Sequence, residues 1–558
     1  MTDPVVDGPA ESVSPGPSGA RIGRASALLA SGTLVSRVLG FASGVLLAQT
    51  IGIATGADAF RLANQLPNNI YAIIAGGLLS AVLVPQIVRA SVQRDGGQAF
   101  INRLVTLGII LFAIATGIAT LCAPLLVRLY ATTGDDAGFD PAALSLAIAF
   151  AYWCLPQILF YALYSLLGEV LNARGLFGPF TWAPALNNVI AIGGLVAFQV
   201  LFGDVTSLAA GDWTPPMIAL LAGSATVGIA AQGLVLFLFW KRAGLRYRPD
   251  FHWRGVGLRQ VGKAAGWIFA MILVTQLAGI VEVRVALIPS GNGPSVAVMG
   301  YAWLMAMLPH SIIAVSITTA YFTRMSTHTR DGDLPALRDD VGSALRSILL
   351  FMIFSTGALA VVALPFSAIY SRTYGDVVAL GGVLWATLFA LVPFSVMFVF
   401  QRVLFALEDT RMAFFLQTAR SILFVALALV AATFPDSQIV IALCIVGAIA
   451  GIAQTVAAGV VLHRRIGGIG GRQLLGRALW FAAAFLPAGG VGLGILFLLG
   501  GFGPGAFPVS RVGGLISMAI AGLGMLVVYL GVLALTRNPE FKAFAGPVLA
   551  RIRGIRRG

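Results

Sequence analysis

Ionisable side chains inside long apolar runs are the residues of this 558-residue sequence best placed to do chemistry. Arg37 lies about a third of the way along the otherwise uncharged run at residues 26–52, and Asp58 and Arg61 open the next run. A charged group inside a membrane costs roughly 2.5 to 3.5 kcal/mol on insertion scales, so such groups usually face a hydrated cavity. An arginine there predicts an anion contact, because its planar guanidinium binds phosphate oxygens in pairs. Two simpler interpretations stay open: Arg37 snorkels to the membrane surface, and Asp58 only answers the dipole of its own helix.

Amides, a proline and two glycines follow in the second run. They are Gln65, Pro67, Asn68, Asn69, Gly76 and Gly77. Amides beside a proline that frees a backbone carbonyl are suited to line a polar cavity, and glycines permit bending or close helix approach. The pattern predicts a polar cavity lining next to a hinge, with a plain kink without ligand contact as the alternative.

Four further positions are predicted to bend or gate the bundle or to bind an anion. Gly40 follows Arg37 in the first run, and Pro309 interrupts the eighth. Glu282 and Arg284 lie toward the outer end of the seventh run, where Arg284 predicts an anion contact and Glu282 a gate. A position at the membrane surface without a functional role is the alternative for both charges.

Signatures of enzymes and of bound cofactors are missing from the sequence. Gly262 and Lys263 are followed by Ala264, so no phosphate-binding GxxxxGK[ST] loop exists. The histidines form no HExxH and the cysteines no CxxC, which leaves no zinc site or disulfide framework to predict. We expect a transporter with no catalytic residue, metal or cofactor.

Composition identifies the elements that must position these residues. Hydrophobic residues make up 58% of the chain and charged residues only 10%, which excludes a soluble globular protein. About fourteen runs are long enough for a helix to cross the roughly 30 Å of membrane hydrocarbon, so we predict an all-α integral membrane protein. The runs lie near 26–52, 60–88, 103–130, 142–171, 180–202, 216–240, 260–288, 295–323, 342–369, 378–406, 412–434, 437–462, 474–500 and 512–535.

Charge then predicts the orientation. The net charge is +14, and the basic residues concentrate in alternate connections, such as those near residues 241–263 and 464–472. By the positive-inside rule these connections and both termini are cytoplasmic. Residues 1–24 are expected to be a disordered tail, because they are rich in Pro, Gly and Ser, and residues 538–558 to be a basic tail. The basic residues form no aromatic-interleaved patch, so no nucleic-acid partner is expected.

An internal repeat divides the chain. The segment from Leu34 to Ala48 aligns with Leu273 to Leu287, and Leu66-Pro67 aligns with Leu308-Pro309. Six runs separate the copies, which predicts two lobes in the same orientation around a central cavity, as in transporters. The predicted units are an N-lobe at 25–243, a C-lobe at 244–466 and two further helices at 467–537.

The motifs of the first two runs carry a specific resemblance. SRVLGF at Ser36 to Phe41, LPN at Leu66 to Asn68 and the glycine pair resemble the MurJ/MviN family of lipid II flippases, in the superfamily that includes MATE exporters. LNARGLFGPFTWAPALNN at Leu171 to Asn188 resembles a family loop, as does ALEDTRMAF at Ala406 to Phe414. In better-known members further cavity arginines occupy the positions of Ser43, Tyr71 and Leu304, so this chain resembles a divergent, actinobacterial-type member that retains Arg37.

The resemblance implies a flippase in the bacterial plasma membrane. Its cargo would be the polyprenyl-diphosphate-linked peptidoglycan precursor, moved from the inner to the outer leaflet by alternating access. Membrane potential or an ion gradient would drive transport, and membrane lipids and the cell-wall synthesis machinery would be its partners. Flipping of another lipid-linked glycan, MATE-like export of small molecules and membrane glycosyltransfer are the alternatives.

Overall fold

The computed structural model describes residues 19–78, 97–133, 138–252 and 263–542, with side-chain surroundings for 31–74, 97–133, 138–252 and 266–542. Within these ranges the chain is almost entirely helical and forms no strand. Its eighteen α-helices are α1 (Gly19–Ile51), α2 (Thr55–Leu78), α3 (Gln98–Leu121), α4 (Ala123–Tyr130), α5 (Pro141–Cys154), α6 (Gln157–Ala173), α7 (Phe177–Phe202), α8 (Pro215–Leu234), α9 (Lys263–Leu287), α10 (Val296–Pro309), α11 (Val315–Arg330), α12 (Leu334–Val361), α13 (Ala363–Tyr370), α14 (Tyr374–Ala406), α15 (Thr410–Ala431), α16 (Asp436–Ile466), α17 (Gly471–Leu498) and α18 (Arg511–Leu535).

The prediction of a multi-pass helical membrane protein is confirmed. Among the described residues, thirteen helical stretches are long and apolar enough to cross a membrane. They correspond to every predicted run except the second. That run contains α2, which is described only as far as Leu78 and is rich in polar residues, but which packs against α5, α6 and α9 inside the bundle.

Several predicted single runs contain two helices. The third breaks at Cys122, and the ninth breaks at Val362. Each break lies two or three residues before a proline, Pro124 or Pro365, which cannot donate a backbone hydrogen bond to the preceding turn. The fourth run breaks at Leu155, immediately before Pro156.

The same helix pairs recur in both halves of the chain, as the predicted parallel repeat requires. In the N-lobe α1 packs on α7, α2 on α5 and α3 on α6. In the C-lobe α9 packs on α15, α10 on α14 and α12 on α14. The breaks at Cys122 and Val362 occupy equivalent places in this repeat.

The last two helices lie outside both lobes. α17 and α18 pack on each other, on α12 and on α13, around a second apolar core that contains Phe481 and Tyr529. The Tyr529 hydroxyl donates a hydrogen bond of 2.9 Å to the Leu350 carbonyl of α12.

The predicted N-terminal tail, residues 1–24, overlaps the start of α1, which begins at Gly19. Ala20, Arg21, Arg24 and Ala25 are good helix formers, in keeping with this start. Disorder of the tail stays a prediction. Residues 1–18 and 543–558 lie outside the described ranges. We call the face where α1 begins the N-terminal face and the face where it ends the distal face.

Candidate functional site

A cavity of about 450 Å³ lies between the two lobes. α1, α6 and α7 contribute the N-lobe wall, and α10 with the turn after it contributes the C-lobe wall. On α7 and α10 these residues lie in the half of the helix nearer the N-terminal face, and on α1 they lie near its middle. The lining residues are Thr33, Ser36, Arg37, Gly40, Phe41, Tyr164, Phe180, Thr181, Pro184, Asn188, Leu304, Met307, Leu308 and Ser311.

Arg37 is exposed to the cavity on α1, beside an amide from α7. The Asn188 side chain donates a hydrogen bond of 2.9 Å to the Ser36 carbonyl, one residue before Arg37. A Cβ on Gly40 would lie 3.4 Å from the Asn188 amide nitrogen, so glycine permits this close approach of α1 and α7. Asn188 therefore fixes the part of α1 that carries the guanidinium.

The two cavity walls differ in chemistry. On the N-lobe side the rings of Tyr164 and Phe180 stack with centroids 4.9 Å apart, near Thr181. The C-lobe side is formed by the apolar Leu304, Met307 and Leu308, followed by Ser311. Among the described lining residues none is acidic, so the formal charge of this surface is that of Arg37.

Pro309, a predicted hinge, ends α10 at this wall. A short π-helical turn, His310–Ala314, joins it to α11, and such turns often mark functional sites. His310 is buried, its Nδ1 lies 2.9 Å from the Ser395 hydroxyl, and its ring contacts Phe394 and Phe398 edge-on.

An aromatic cluster closes the cavity toward the distal face. Phe41, one turn beyond Arg37, lies 5.7 Å from the Phe366 ring and 5.9 Å from the Tyr370 ring, measured between centroids. Tyr301 of α10 contacts Tyr370 at 5.7 Å. We call Phe41, Tyr301, Phe366 and Tyr370 the aromatic plug.

Asp58 ties the lobes together beyond the plug. Its carboxylate accepts hydrogen bonds from the Ser290 hydroxyl at 2.7 Å and from the Ala297 backbone N–H at 2.9 Å. Asp58 therefore caps the first turn of α10, a helix of the other lobe. This is a partner that the sequence did not reveal, since the expected partner was the dipole of its own helix.

Arg61 lies one turn further along α2, in the same interface. Its guanidinium packs directly on Gly300 of α10, where an added Cβ would lie 2.6 Å from it. Any larger residue at position 300 would displace the Arg61 guanidinium from this contact.

A second tie lies at the ends of α7 and α13. Arg372 contacts the Asp204 carboxylate and donates to the Gln49 carbonyl. The Gln49 side chain donates to the Ile369 carbonyl at 2.9 Å. The N-lobe and C-lobe are thus linked on both sides of the plug at the distal face.

Arg284 and Glu282 have different surroundings. Arg284 donates to the Leu129 carbonyl of α4 at 3.1 Å, and its own carbonyl accepts from Thr132 at 2.7 Å, so it lies in the distal interlobe contact. Glu282 interacts electrostatically with Arg420 of α15, inside the C-lobe. Whether either residue gates the protein stays a prediction.

The predicted amides of α2 lie away from the cavity in this conformation. Asn69 is buried, with its amide 3.5 Å from the Tyr130 hydroxyl, Gln65 is half-buried and Asn68 is exposed. Among the described residues that line the cavity, none comes from α2. Contact of Asp58, Arg61 or these amides with cargo stays a prediction, as does bending at Pro67. Gly76 and Gly77 belong to α2, but their surroundings lie outside the described residues.

Sequence reasoning missed most of the cavity wall. Tyr164, Phe180 and Asn188 are neutral, so a search for charges inside apolar runs passes over them. The signal available was the segment Phe177 to Asn188, where Pro184 and a pair of asparagines interrupt an apolar run. Within the described ranges no cluster of His, Cys, Asp or Glu has the composition of a metal site.

Comparison with known proteins gives a family and a fold. The family model described as lipid II flippase MurJ matches residues 47–512. A protein named probable lipid II flippase MurJ from Haemophilus influenzae is 28% identical over 358 residues, 60% of this chain and 65% of that protein. One of the same name from Rickettsia prowazekii is 22% identical, covering 62% of this chain and 66% of that protein. The chain therefore aligns with slightly less than two thirds of the length of these curated relatives.

Solved structures agree on the architecture. A lipid II flippase MurJ in an inward closed conformation superposes with a TM-score of 0.67 at 18% identity, covering 94% of this chain and 99% of that one. A multidrug resistance MATE transporter in an inward-facing conformation gives 0.60 at 14% identity, covering 77% and 94%. At these identities the likeness shows the fold alone.

Proposed function

Because the chain belongs to the lipid II flippase MurJ family, we propose that it moves a polyprenyl-diphosphate-linked peptidoglycan precursor, lipid II, from the inner to the outer leaflet of the bacterial plasma membrane. The curated relatives carry that activity in their names. The protein acts as a transporter and not as an enzyme.

The observation that carries the proposal is an interlobe cavity whose described lining includes one cationic side chain, Arg37. A diphosphate with a sugar and peptide head cannot enter hydrocarbon unpaired, because transfer of ions from water costs many kcal/mol. Arg37 offers a paired hydrogen-bond donor for the diphosphate. Asn188, Thr181 and the Tyr164–Phe180 stack offer polar and aromatic surface for the sugar and peptide.

The orientation follows from charge. Connections at the N-terminal face carry Lys241, Arg242, Arg464 and Arg465, which the positive-inside rule assigns to the cytoplasm. Both termini would then be cytoplasmic, and the cavity would receive cargo from the inner leaflet. The distal ties and the aromatic plug would form the outer gate.

Transport requires the two ends to exchange roles. Release of the Asp58 and Arg372 ties would open the distal face, while the lobes close around the N-terminal face. We propose membrane potential or an ion gradient as the energy source, since one charge crossing 100 mV yields about 2.3 kcal/mol. The lipid tail would lie along α17 and α18, and enzymes of cell-wall synthesis would supply and consume the cargo.

The alternative of a MATE-like exporter of small cations is less well supported. Such cargo calls for a carboxylate in the cavity, and the described lining carries an arginine instead. Another lipid-linked glycan shares the diphosphate, so it is separated from lipid II only by experiment.

The experiment is depletion of this protein in its native host, with every lipid-linked precursor quantified in each leaflet. Lipid II should accumulate in the inner leaflet, and the chain reconstituted alone in liposomes should restore its flipping. Accumulation of a different lipid-linked glycan, or of none, would contradict the proposal.

A further inference from the structure

A second cavity lies far from the lobe interface, at the N-terminal face. It has a volume of about 540 Å³, within the range of small-molecule sites. α12, α17 and the segment after α18 form its walls. The lining residues are Arg346, Gln473, Gly476, Arg477, Trp480 and Glu540. We call it the α12–α17 groove.

Two guanidinium groups from different helices converge in this groove on one carboxylate. Arg346 and Arg477 lie 3.8 Å and 3.4 Å from the same oxygen of Glu540. Charge-assisted hydrogen bonds are usually about 2.7 to 2.9 Å long, so these ion pairs are loose. The other Glu540 oxygen is buried and accepts no hydrogen bond from the described residues.

The charge of the groove is therefore only partly balanced. Two arginines against one carboxylate leave one formal positive charge, and both arginine side chains remain more than a third exposed, at 36% and 39%. An incoming anion would find two guanidinium groups already gathered at one point.

The groove lies near the start of α17 and beyond the end of α18, where a membrane surface is expected from the lengths of these helices. Arg477 is six residues after the start of α17, and Trp480 follows one turn later. Tryptophan is enriched at this level of membrane proteins because its ring is apolar and its N–H is polar. Glu540 lies five residues after the end of α18. The polar end of a lipid and this cluster therefore share one level.

Apolar surface continues from the groove into the membrane. Leu475 and Leu479, on the neighbouring face of α17, are 62% and 64% exposed, and Leu486 lies further along at 72%. These side chains offer contact to hydrocarbon chains below a head group held by the arginines. A soluble phosphate would gain nothing from them.

We propose that the α12–α17 groove binds the phosphate of an anionic phospholipid such as phosphatidylglycerol. The phosphate bridges Arg346 and Arg477, displaces Glu540, and leaves the acyl chains along Leu475 and Leu479. Basic pockets between membrane helices bind anionic head groups by this chemistry. The site shares no lining residue with the cargo cavity, and its test does not depend on the proposed flipping activity.

The test is binding of a fluorescent short-chain phosphatidylglycerol to the full-length purified chain in detergent. Saturable binding should weaken about tenfold in the Arg346→Gln/Arg477→Gln variant. The matched control is Arg464→Gln/Arg472→Gln, which removes the same charge from exposed positions at the same face and should change affinity less than twofold. Equal weakening by both pairs, or by neither, would overturn the site.

Two further measurements test whether Glu540 competes with the lipid and whether the ligand is a lipid or a soluble anion. Glu540→Gln keeps both arginines and removes their competing carboxylate, so affinity should rise about threefold; an unchanged or lower affinity would contradict the displacement. Inorganic phosphate and phosphatidylcholine should compete only weakly. Competition by inorganic phosphate at the concentration of the lipid would make this a soluble-anion site and overturn the lipid assignment.

Discussion

The two ends of the lobe interface differ in the contacts that their side chains make. At the distal end, Asp58, Arg372 and the aromatic plug join the lobes through hydrogen bonds and ring contacts. Nearer the N-terminal face, Arg37 and its neighbours line open space. Polar groups that join the two lobes are suited to a gate, and a cationic side chain that faces open space is suited to a binding site. The sequence alone does not distinguish the two, because both appear as charges inside apolar runs.

The distal ties are individually weak enough to be reversible. A hydrogen bond contributes about 0.5 to 1.5 kcal/mol net, so a few of them match the few kcal/mol that separate conformations of a transporter. A gate of this kind opens when cargo or voltage supplies a comparable free energy.

The largest effect is expected from loss of Arg37, the cationic side chain of the described cavity lining. Arg37→Ala should reduce flipping at least a hundredfold in cells while the protein still folds, and Arg37→Lys should restore it only in part, because lysine is a point charge without a planar fork. Complementation of a depleted strain, normalised to folded protein, measures this. Arg128→Ala, an exposed arginine at the distal end of α4, is the control and should be neutral. Full rescue by lysine would mark Arg37 as a snorkelling residue.

Removing the Asp58 contact between the lobes should shift the conformational equilibrium toward opening of the distal face. Asp58→Ala leaves the Ser290 hydroxyl and the Ala297 N–H without their acceptor, a loss of about 1 to 3 kcal/mol that favours distal opening by about fivefold to 150-fold. Asp58→Asn keeps one acceptor oxygen and should have a smaller effect. Spin labels are attached at Asp212 and Gly375 in a variant without other cysteines. The distance between the two labels reports the opening of the distal face.

The control for this shift is Asp376→Ala. Asp376 lies on the same face but caps its own helix with Thr373, so its loss should not move the lobes. Equal distance distributions in Asp58→Ala and in the unmodified chain would show that the tie does not hold the gate.

Removing one ring from the aromatic plug should have an intermediate effect on access to the cavity. A cysteine at Ser311 in the cavity should react with a membrane-impermeant reagent from the N-terminal face only. Phe41→Ala removes both ring contacts to Phe366 and Tyr370 and should make that cysteine reactive from the distal face as well. Phe434→Ala, at an exposed distal ring, should leave the pattern unchanged. One-sided labelling in the Phe41 variant would place the barrier elsewhere.

The smallest effect on flipping is expected from Asp250, which lies in a connection outside the membrane-spanning helices. The backbone N–H of His252 and the Arg103 guanidinium, bonded at 2.9 Å, lower the pKa of Asp250 to about 2. A depressed carboxyl pKa stabilises the fold above the ordinary value near 4 and loses that contribution as pH falls toward 2. Attachment of the 246–250 connection to α3 should therefore persist at pH 5. Asp250→Asn should raise its hydrogen exchange while flipping changes less than twofold. Release of the connection between pH 7 and 5 in the unmodified chain would contradict this.

Much of the architecture could be predicted from the sequence. Apolar length gives the helices, and recurrence of Leu-Pro at a nearly constant shift gives the two lobes. Pro124 and Pro365 also indicate where the helices break, although the predicted runs continued across both prolines.

The site could be predicted only in part. Arg37 stands out because a charge in hydrocarbon is costly, whereas Asn188 and Tyr164 look like ordinary helix residues until α7 packs beside α1 and α6 beside α7. Asp58 was visible as a charge, but its partner Ala297 lies 239 residues away, and only the packing of the lobes brings them together.

The most direct test of a cargo site at Arg37 is capture of the cargo in the cavity. A photoreactive amino acid at Thr181 or Ser311, on opposite walls, should form an adduct with radiolabelled lipid II in membranes, and the same amino acid at the exposed Val456 should not. Adding Arg37→Ala should abolish the adduct without lowering the amount of folded protein. Adducts that persist without Arg37, or that form equally at Val456, would contradict a diphosphate site in this cavity.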